Sequence, residues 1–343
     1  MKVGAPISVG ILLLASLAHA APPALDLIQP VKSTKGVLLV NSPLRATVEQ
    51  ASEEPQEITL RAGERLTEIA ETRRGWVAAG VRATKRGRRE LVVVLEDAAG
   101  VERLTLPGRQ KKRLRILPTL LIEDDEFSGI AWLEGDDFRS LSVRFAEWTG
   151  VDWGPVKKVS RPGRGSQTGL VGTVLGDGSD LLVWSAYDGG DDEIVWSRRR
   201  GSRWSRPKRL TVNNRTPDIT PAVVPMGSGA LAVWSRYDGN DYRLMSAQFD
   251  GRKWKKPELI GPAGSLDPRF VELGADLFLT YQNAWPAGWA VVQVGRQGDL
   301  TRRADVQQRS HQRPVLAHPG SREVTLLWPQ EDGVYTVEWE RLR

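Results

Sequence analysis

Five aromatic residues recur down this chain at nearly even intervals: Trp132, Trp184, Trp234, Tyr281 and Trp328, separated by 52, 50, 47 and 47 residues. Each closes a short apolar run, in turn GIAW, LLVW, LAVW, LFLTY and TLLW. A strand-rich unit of about fifty residues cannot bury both faces of its sheet alone. Units stacked around an axis can, so the period predicts an all-β fold, a β-propeller with one blade per repeat. Repetition makes the aromatics architectural: they are expected to fill the wedge between neighbouring blades, not to face a ligand.

Aligning the repeats on these aromatics exposes the rest of each unit. Around Trp184 the chain reads DLLVW, SAYDGGDDE, IVWSRRR, GSRW and SRPKRL; around Trp234 it reads ALAVW, SRYDGND, YRLMSAQF, DGRKW and KKPELI. Each is a strand, an Asp-Gly hairpin, a strand, a Gly-x-x-Trp turn and a short strand. A further strand precedes each aromatic, often opened by Pro118, Pro221, Pro268 or Pro314, which makes four strands per unit. A sixth unit is expected at GWVAAGV (75–81) and ELVVVLED (90–97), where Ala79 takes the register position of the aromatics. The last repeat ends at GVYTVEWERLR with three strands, and QEITLRAG (56–63) resembles the fourth-strand segment ERLTLPGR (102–109). The expectation is therefore a six-bladed propeller of four-stranded blades, its ring closed by an N-terminal strand completing the C-terminal blade.

The first twenty residues carry Lys2, the apolar run Ile11 to Leu14 and a small-x-small site at Ala18-His19-Ala20, the pattern of a secretory signal. The apolar run is too short to span a bilayer, and no transmembrane segment is expected. The domain plan is a signal peptide over 1–20, a linker over 21–55 with one strand at GVLLVNS (36–42), and the propeller over 56–343. A periplasmic or secreted location follows. The chain has no cysteine, which excludes disulfides and thiolate metal sites. Its 48 basic and 42 acidic residues give a net charge of +6, a mixed surface that tolerates anionic partners without demanding them.

The Gly-x-x-Trp turn recurs as Gly150 to Trp153, Gly201 to Trp204 and Gly251 to Trp254. With six blades, this resembles the sialidase-like superfamily of propellers, whose Asp-box reads Ser-x-Asp-x-Gly-x-x-Trp at the turn between third and fourth strands. Here the Asp position holds Trp148, Arg199 and Phe249, and the Ser position holds Ala146, Ser197 and Ala247. The resemblance implies the fold. The superfamily's arginine-bearing Phe/Tyr-Arg-Ile-Pro signature is missing, since the first blade opens with RLTEIAE (65–71); Arg269 and Arg313 lie near inner-strand starts, but two arginines among so many do not assemble a carboxylate clamp, and no catalytic residue is nominated.

Ligands of propellers meet the central channel, where the inner strands begin. The alignment places Thr168, Thr220, Asp267 and Arg313 there, with Asp218 and His311 two residues further out. Polar groups of mixed sign around one opening suit a small molecule or glycan. Asp188, Asp191 and Asp192, like Asp136/Asp137 and Asp238/Asp241, read as turn chemistry, and no metal or cofactor is expected. Only His311 and His318 follow the signal, too few for a histidine-based zinc site or triad. No Walker loop is present, and export makes nucleic acid an improbable partner. The basic runs 82–89, 109–115 and 198–209 are read as a solvated rim. The function predicted is a non-catalytic module that binds a glycan or protein partner at the channel mouth. The rival is a sialidase-like glycoside hydrolase with unrecognised carboxylates.

Overall fold

The computed structural model describes residues 57–316 in full apart from 84–88, 97–99, 107–112, 164, 213, 284–287 and 308–312, with the backbone alone at 97. Outside that span it describes 324–328 and 342, and the backbone alone at 26–28, 32–33, 38–42, 45–49, 56, 317–320, 323, 329 and 335–341. His311 and the whole of the 1–20 segment therefore lie outside the described residues. No helix among the described residues is long and apolar enough to cross a membrane.

Five sheets carry the blade pattern of four strands in sequence order, each antiparallel to the next. Blade 1 is Glu64–Thr72, Gly75–Ala83, Arg89–Asp97 and Gly100–Leu104. Blade 2 is Leu114–Glu123, Glu126–Gly135, Ser142–Glu147 and Lys157–Lys158. Blade 3 is Gln167–Val174, Asp180–Tyr187, Asp192–Arg200 and Arg203–Trp204, with Lys208–Arg209 also pairing to the third strand. Blade 4 is Asp218–Met226, Gly229–Tyr237, Tyr242–Phe249 and Glu258–Leu259. Blade 5 is Leu266–Leu273, Asp276–Asn283, Gly288–Val294 and Leu300–Gln307. The first strand of each blade touches the first strand of the next, so these inner strands line the axis.

One aromatic sits in each core between neighbouring sheets, as the repeat requires. Trp132 lies in the cluster shared by blades 1 and 2, Trp184 in that of blades 2 and 3, Trp234 in that of blades 3 and 4, and Tyr281 in that of blades 4 and 5. Trp328 joins blade 5 to a three-stranded C-terminal sheet, Val315–Gly320, Glu323–Pro329 and Tyr335–Arg341. None of the five is more than 2% exposed. Rings this large bury about 150–250 Å² each, which makes them the principal glue between blades.

The blade count and the closure are corrected. The structure has five blades, not six, and no strand pairing between the two end sheets closes a ring among the described residues. The strand expected to complete the last blade, Gln56–Thr59, pairs instead with Arg45–Glu49, itself paired to Leu38–Ser42 and then Asp26–Ile28. A partner one short loop away costs far less closure entropy than one at the far end of the chain. Burial reinforces the choice: Ile58 and Leu60 pack with Leu66, Ile69 and Trp76 of blade 1. The stretch read as a linker thus contributes strands. One of them, Lys32–Ser33, runs parallel to the inner strand of blade 5, pairing Lys32 with Glu272 and Ser33 with Leu273.

The Gly-x-x-Trp turns fold as their spacing predicts. Gly150, Gly201 and Gly251 all have left-handed backbones, φ 92°, 54° and 87°, which a side chain would strain. Where an Asp-box would hold aspartate, Trp148 and Phe249 bridge across to Trp153 and Trp254. Their rings meet at 5.0 and 5.1 Å. Aromatic packing replaces the carboxylate as the clasp of the turn.

Candidate functional site

The inner strand of every blade is interrupted by a bulge, with register shifts between Leu66 and Glu68, Ile116 and Thr119, Thr168 and Val171, Ile219 and Ala222, and Leu266 and Arg269. At the crest the backbone turns left-handed: Leu117 φ 49°, Gly169 φ 59°, Thr220 φ 48° and Asp267 φ 54°. Three of the four are followed by proline. For a residue with a Cβ this conformation costs about 1 kcal/mol or more, and bulges of this kind re-aim side chains next to functional openings.

The residues singled out from sequence divide into two groups. Asp218 is fully buried and its carboxylate is saturated. It accepts from Trp234 Nε1 at 2.7 Å, from Arg236 through Nε at 2.8 Å and Nη2 at 3.0 Å, and from Asn214 Nδ2 at 2.9 Å. Glu134 does the same work in blade 2, taking Arg115 Nε at 2.9 Å and Trp132 Nε1 at 3.4 Å. These carboxylates orient the wedge tryptophans.

Thr168, Thr220 and Asp267 lie on the inner strands of blades 3, 4 and 5, and Arg313 just ahead of Val315–Gly320, all half-buried. Thr220 Oγ1 is 2.7 Å from Ser235 Oγ, and the same serine accepts from Asp267 N at 3.0 Å, tying blade 4 to blade 5. Arg313 donates to Asp267 Oδ2 at 2.7 Å and to Thr280 Oγ1 at 2.7 Å, and its guanidinium lies 4.6 Å from the Trp289 ring centre. Burial holds the Arg313 guanidinium down at about 10, with Asp267 pulling it back up and Arg269 pushing it further down.

Two further groups lie on the inner strands: Glu68, which went unrecognised in the sequence, and Arg269, which was noted only as an arginine near an inner-strand start. Glu68 lies at the bulge of blade 1, half-buried, and accepts from Leu120 N at 3.2 Å. Burial pushes its carboxyl up to about 8, against the Leu120 hydrogen bond and the positive charge of Arg269. Arg269, on the inner strand of blade 5, is exposed; its carbonyl accepts from Thr280 Oγ1 at 3.5 Å, while its guanidinium makes no hydrogen bond or ion pair among the described residues. The signal for Glu68 was a glutamate between the buried Leu66 and Ile69, where alternation is broken by the bulge. The signal for Arg269 was its place near an inner-strand start, too weak to choose it among so many arginines.

The basic runs are largely spent on the fold. Arg198 pairs with Asp177 and Arg199 with Asp180, Arg82 with Glu90, and Arg113 and Arg115 with Glu134. A cleft of about 410 Å³ between the outer parts of blades 3 and 4 keeps free charge: Lys208, Arg252, Lys253 and Lys256 surround Trp196 and Trp254. Lys208 Nζ stands 5.4 Å from the Trp196 ring centre.

No family model matches the chain, and no curated protein matches it. Solved structures do. The polysaccharide lyase Uly1 matches at 10% identity over 94% of this chain and 90% of its own, with a TM-score of 0.55. A prolyl endopeptidase matches at 14% identity, 96% and 50% coverage and a TM-score of 0.56. A puromycin-hydrolysing peptidase of Mycobacterium tuberculosis matches at 12% identity, 94% and 54% coverage and a TM-score of 0.55. The chain spans about half the length of each peptidase. At such identities the likeness shows the β-propeller fold.

Proposed function

We propose that this protein is an exported, non-catalytic β-propeller that recognises an anionic glycan at its channel mouth. Arg269 takes the acidic group, and Thr168, Thr220 and Asp267 supply polar contacts. The observation that supports this reading is Arg269, exposed on the inner strand of blade 5 with no side-chain partner among the described residues, its charge near enough to bear on Glu68 of the inner strand of blade 1. A planar guanidinium matches a carboxylate or sulfate through two parallel hydrogen bonds. The leader-like residues 1–20 support export, and the three Gly-x-x-Trp turns support kinship with sialidase-like propellers. A polysaccharide lyase shares the fold, which does not by itself carry a substrate.

The test is a glycan array probed with residues 21–343 at physiological salt. Selective retention of uronic or sulfated oligosaccharides, lost in Arg269→Ala, is expected; because the Arg269 guanidinium makes no structural bond among the described residues, the variant keeps its fold. Equal binding by Arg269→Ala overturns the channel assignment, and retention only at low salt reduces the interaction to general charge attraction.

One observation favours the hydrolase reading: Glu68, pushed up to about 8, is protonated at neutral pH, as a general acid must be. Release of reducing ends from a bound glycan, abolished in Glu68→Gln while binding survives, would convert the module into an enzyme. Intact glycan after prolonged incubation rejects that reading.

A further inference from the structure

The hairpin that joins Asp180–Tyr187 to Asp192–Arg200 in blade 3 gathers three carboxylates. One oxygen each from Asp188, Asp191 and Glu193 lie within 4.8 Å of one another. Two arginines stand nearby, and each has its own partner: Arg209 Nη1 meets Asp188 Oδ2 at 2.9 Å, and Arg236 is held bidentately by Asp218. Asp191 and Glu193 are left without a paired cation.

Asp191 carries the decisive observation. It is only 9% exposed, and its Oδ2 atom is buried without a hydrogen-bond partner. Buried acceptors are satisfied in nearly all native structures, and the exceptions mark an ion or a water. A buried carboxylate with an unpartnered oxygen, one oxygen of which lies within 4.8 Å of those of two other carboxylates, is a place where a cation belongs. Glu193 keeps one oxygen in hand, since Thr211 Oγ1 donates only to its Oε2. Burial and the mutual repulsion of neighbouring carboxylates push both the Asp191 and the Glu193 carboxyls up, the strain that a bound cation removes.

From this juxtaposition we infer that blade 3 holds a divalent-cation site for calcium, with Asp188, Asp191 and Glu193 as its protein ligands. The donor set is all oxygen, without histidine or thiolate, which selects a hard cation over zinc or copper. Calcium–oxygen bonds of about 2.3–2.6 Å put opposite ligands about 5 Å apart, so all three carboxylates reach one ion without moving the backbone. Magnesium demands a tighter octahedron and gives up its waters reluctantly, so it is the weaker ligand here. Two uncompensated carboxylates match the double charge. The hairpin is pre-formed, because Asp188 Oδ1 already accepts from Gly190 N at 2.8 Å. A site so built, with three protein ligands and an open side, falls in the range of extracellular calcium modules, on the order of 10⁻⁴ to 10⁻³ M. The site lies beside the start of the inner strand of blade 4, where Asp218 is close enough for its charge to bear on Asp191 and Glu193.

Calorimetric titration of the metal-free whole protein with calcium chloride, beside a thermal-melt series at matched ionic strength, tests the site. One bound ion per chain is expected, with a folded-to-unfolded ratio raised about eleven-fold at ten times Kd. Magnesium is expected to give a markedly smaller response. Asp191→Asn keeps the shape and removes repulsion, so the metal-free variant should melt no lower than the parent and should no longer respond to calcium. A calcium response that persists in Asp191→Asn, or no heat and no melting shift up to 10 times the upper end of that Kd range, overturns the site. Neither result depends on whether a glycan binds the channel.

Discussion

At the residue scale, the same chemical type serves opposite ends in this molecule. Asp218 and Asp267 were both placed at the channel by sequence alignment, yet the first is sealed under Trp234 and Arg236 while the second is half-exposed and pairs with Arg313. Asp218→Asn should therefore behave as a core lesion. Breaking a buried bidentate pair costs about 3 kcal/mol, so urea denaturation should show a large loss, against almost none for the exposed Asp299→Asn. Glu68 makes a pH prediction. Its carboxyl is raised from 4.5 to about 8, so the folded state holds a proton that the unfolded state has released. The corresponding stability is complete below about 4.5 and is lost as pH rises towards about 8. Melting curves across that window should fall with pH, and Glu68→Gln should flatten the fall. The position of Glu68 was legible only in hindsight, because a bulge hides which face a residue takes. Arg269 was placed near an inner-strand start by the sequence, but nothing in the sequence set it apart, because an arginine without a side-chain partner is defined by the groups it lacks in space.

At the scale of the element, the hairpins and the Gly-x-x-Trp turns were readable because each depends on one backbone conformation that few residues adopt. Gly189 and Gly239, at φ 112° and 101°, sit where the Asp-Gly pairs called for them. Gly201→Ala tests the turn in isolation. A Cβ there meets no atom within 4 Å, so only its φ of 54° is penalised, and a loss of about 1 kcal/mol is expected in chemical denaturation. Gly229→Ala should cost more, since its Cβ would fall 2.0 Å from the Phe249 carbonyl oxygen. The inner-strand bulges were not readable as bulges. Pro118, Pro221 and Pro268 marked the right places, but the prolines were taken for strand starts, whereas the strands begin two to four residues earlier.

At the scale of the whole molecule, the period of the aromatics was enough to identify stacked blades, and it was not enough to count them or to say how the ends meet. Edge strands look alike in sequence, and an N-terminal strand can complete a distant blade or build a sheet of its own. Removing residues 1–60 should tell how much that sheet matters. It strips Ile58 and Leu60 from the core they share with Trp76, so the remaining chain should bind a hydrophobic dye and melt at a lower temperature. The cleft between blades 3 and 4 makes an independent prediction. Arg252→Glu with Lys253→Glu should lower the salt sensitivity of any polyanion binding there and leave Arg269-dependent selectivity in place. The parallel pairing of Lys32–Ser33 with the inner strand of blade 5 has a consequence in time. Those two residues leave the ribosome more than two hundred positions before their partners, Glu272 and Leu273. That pairing therefore cannot form until blade 5 has been made. A contact between positions so far apart is slow to form, and until then it leaves Lys32–Ser33 open to proteases.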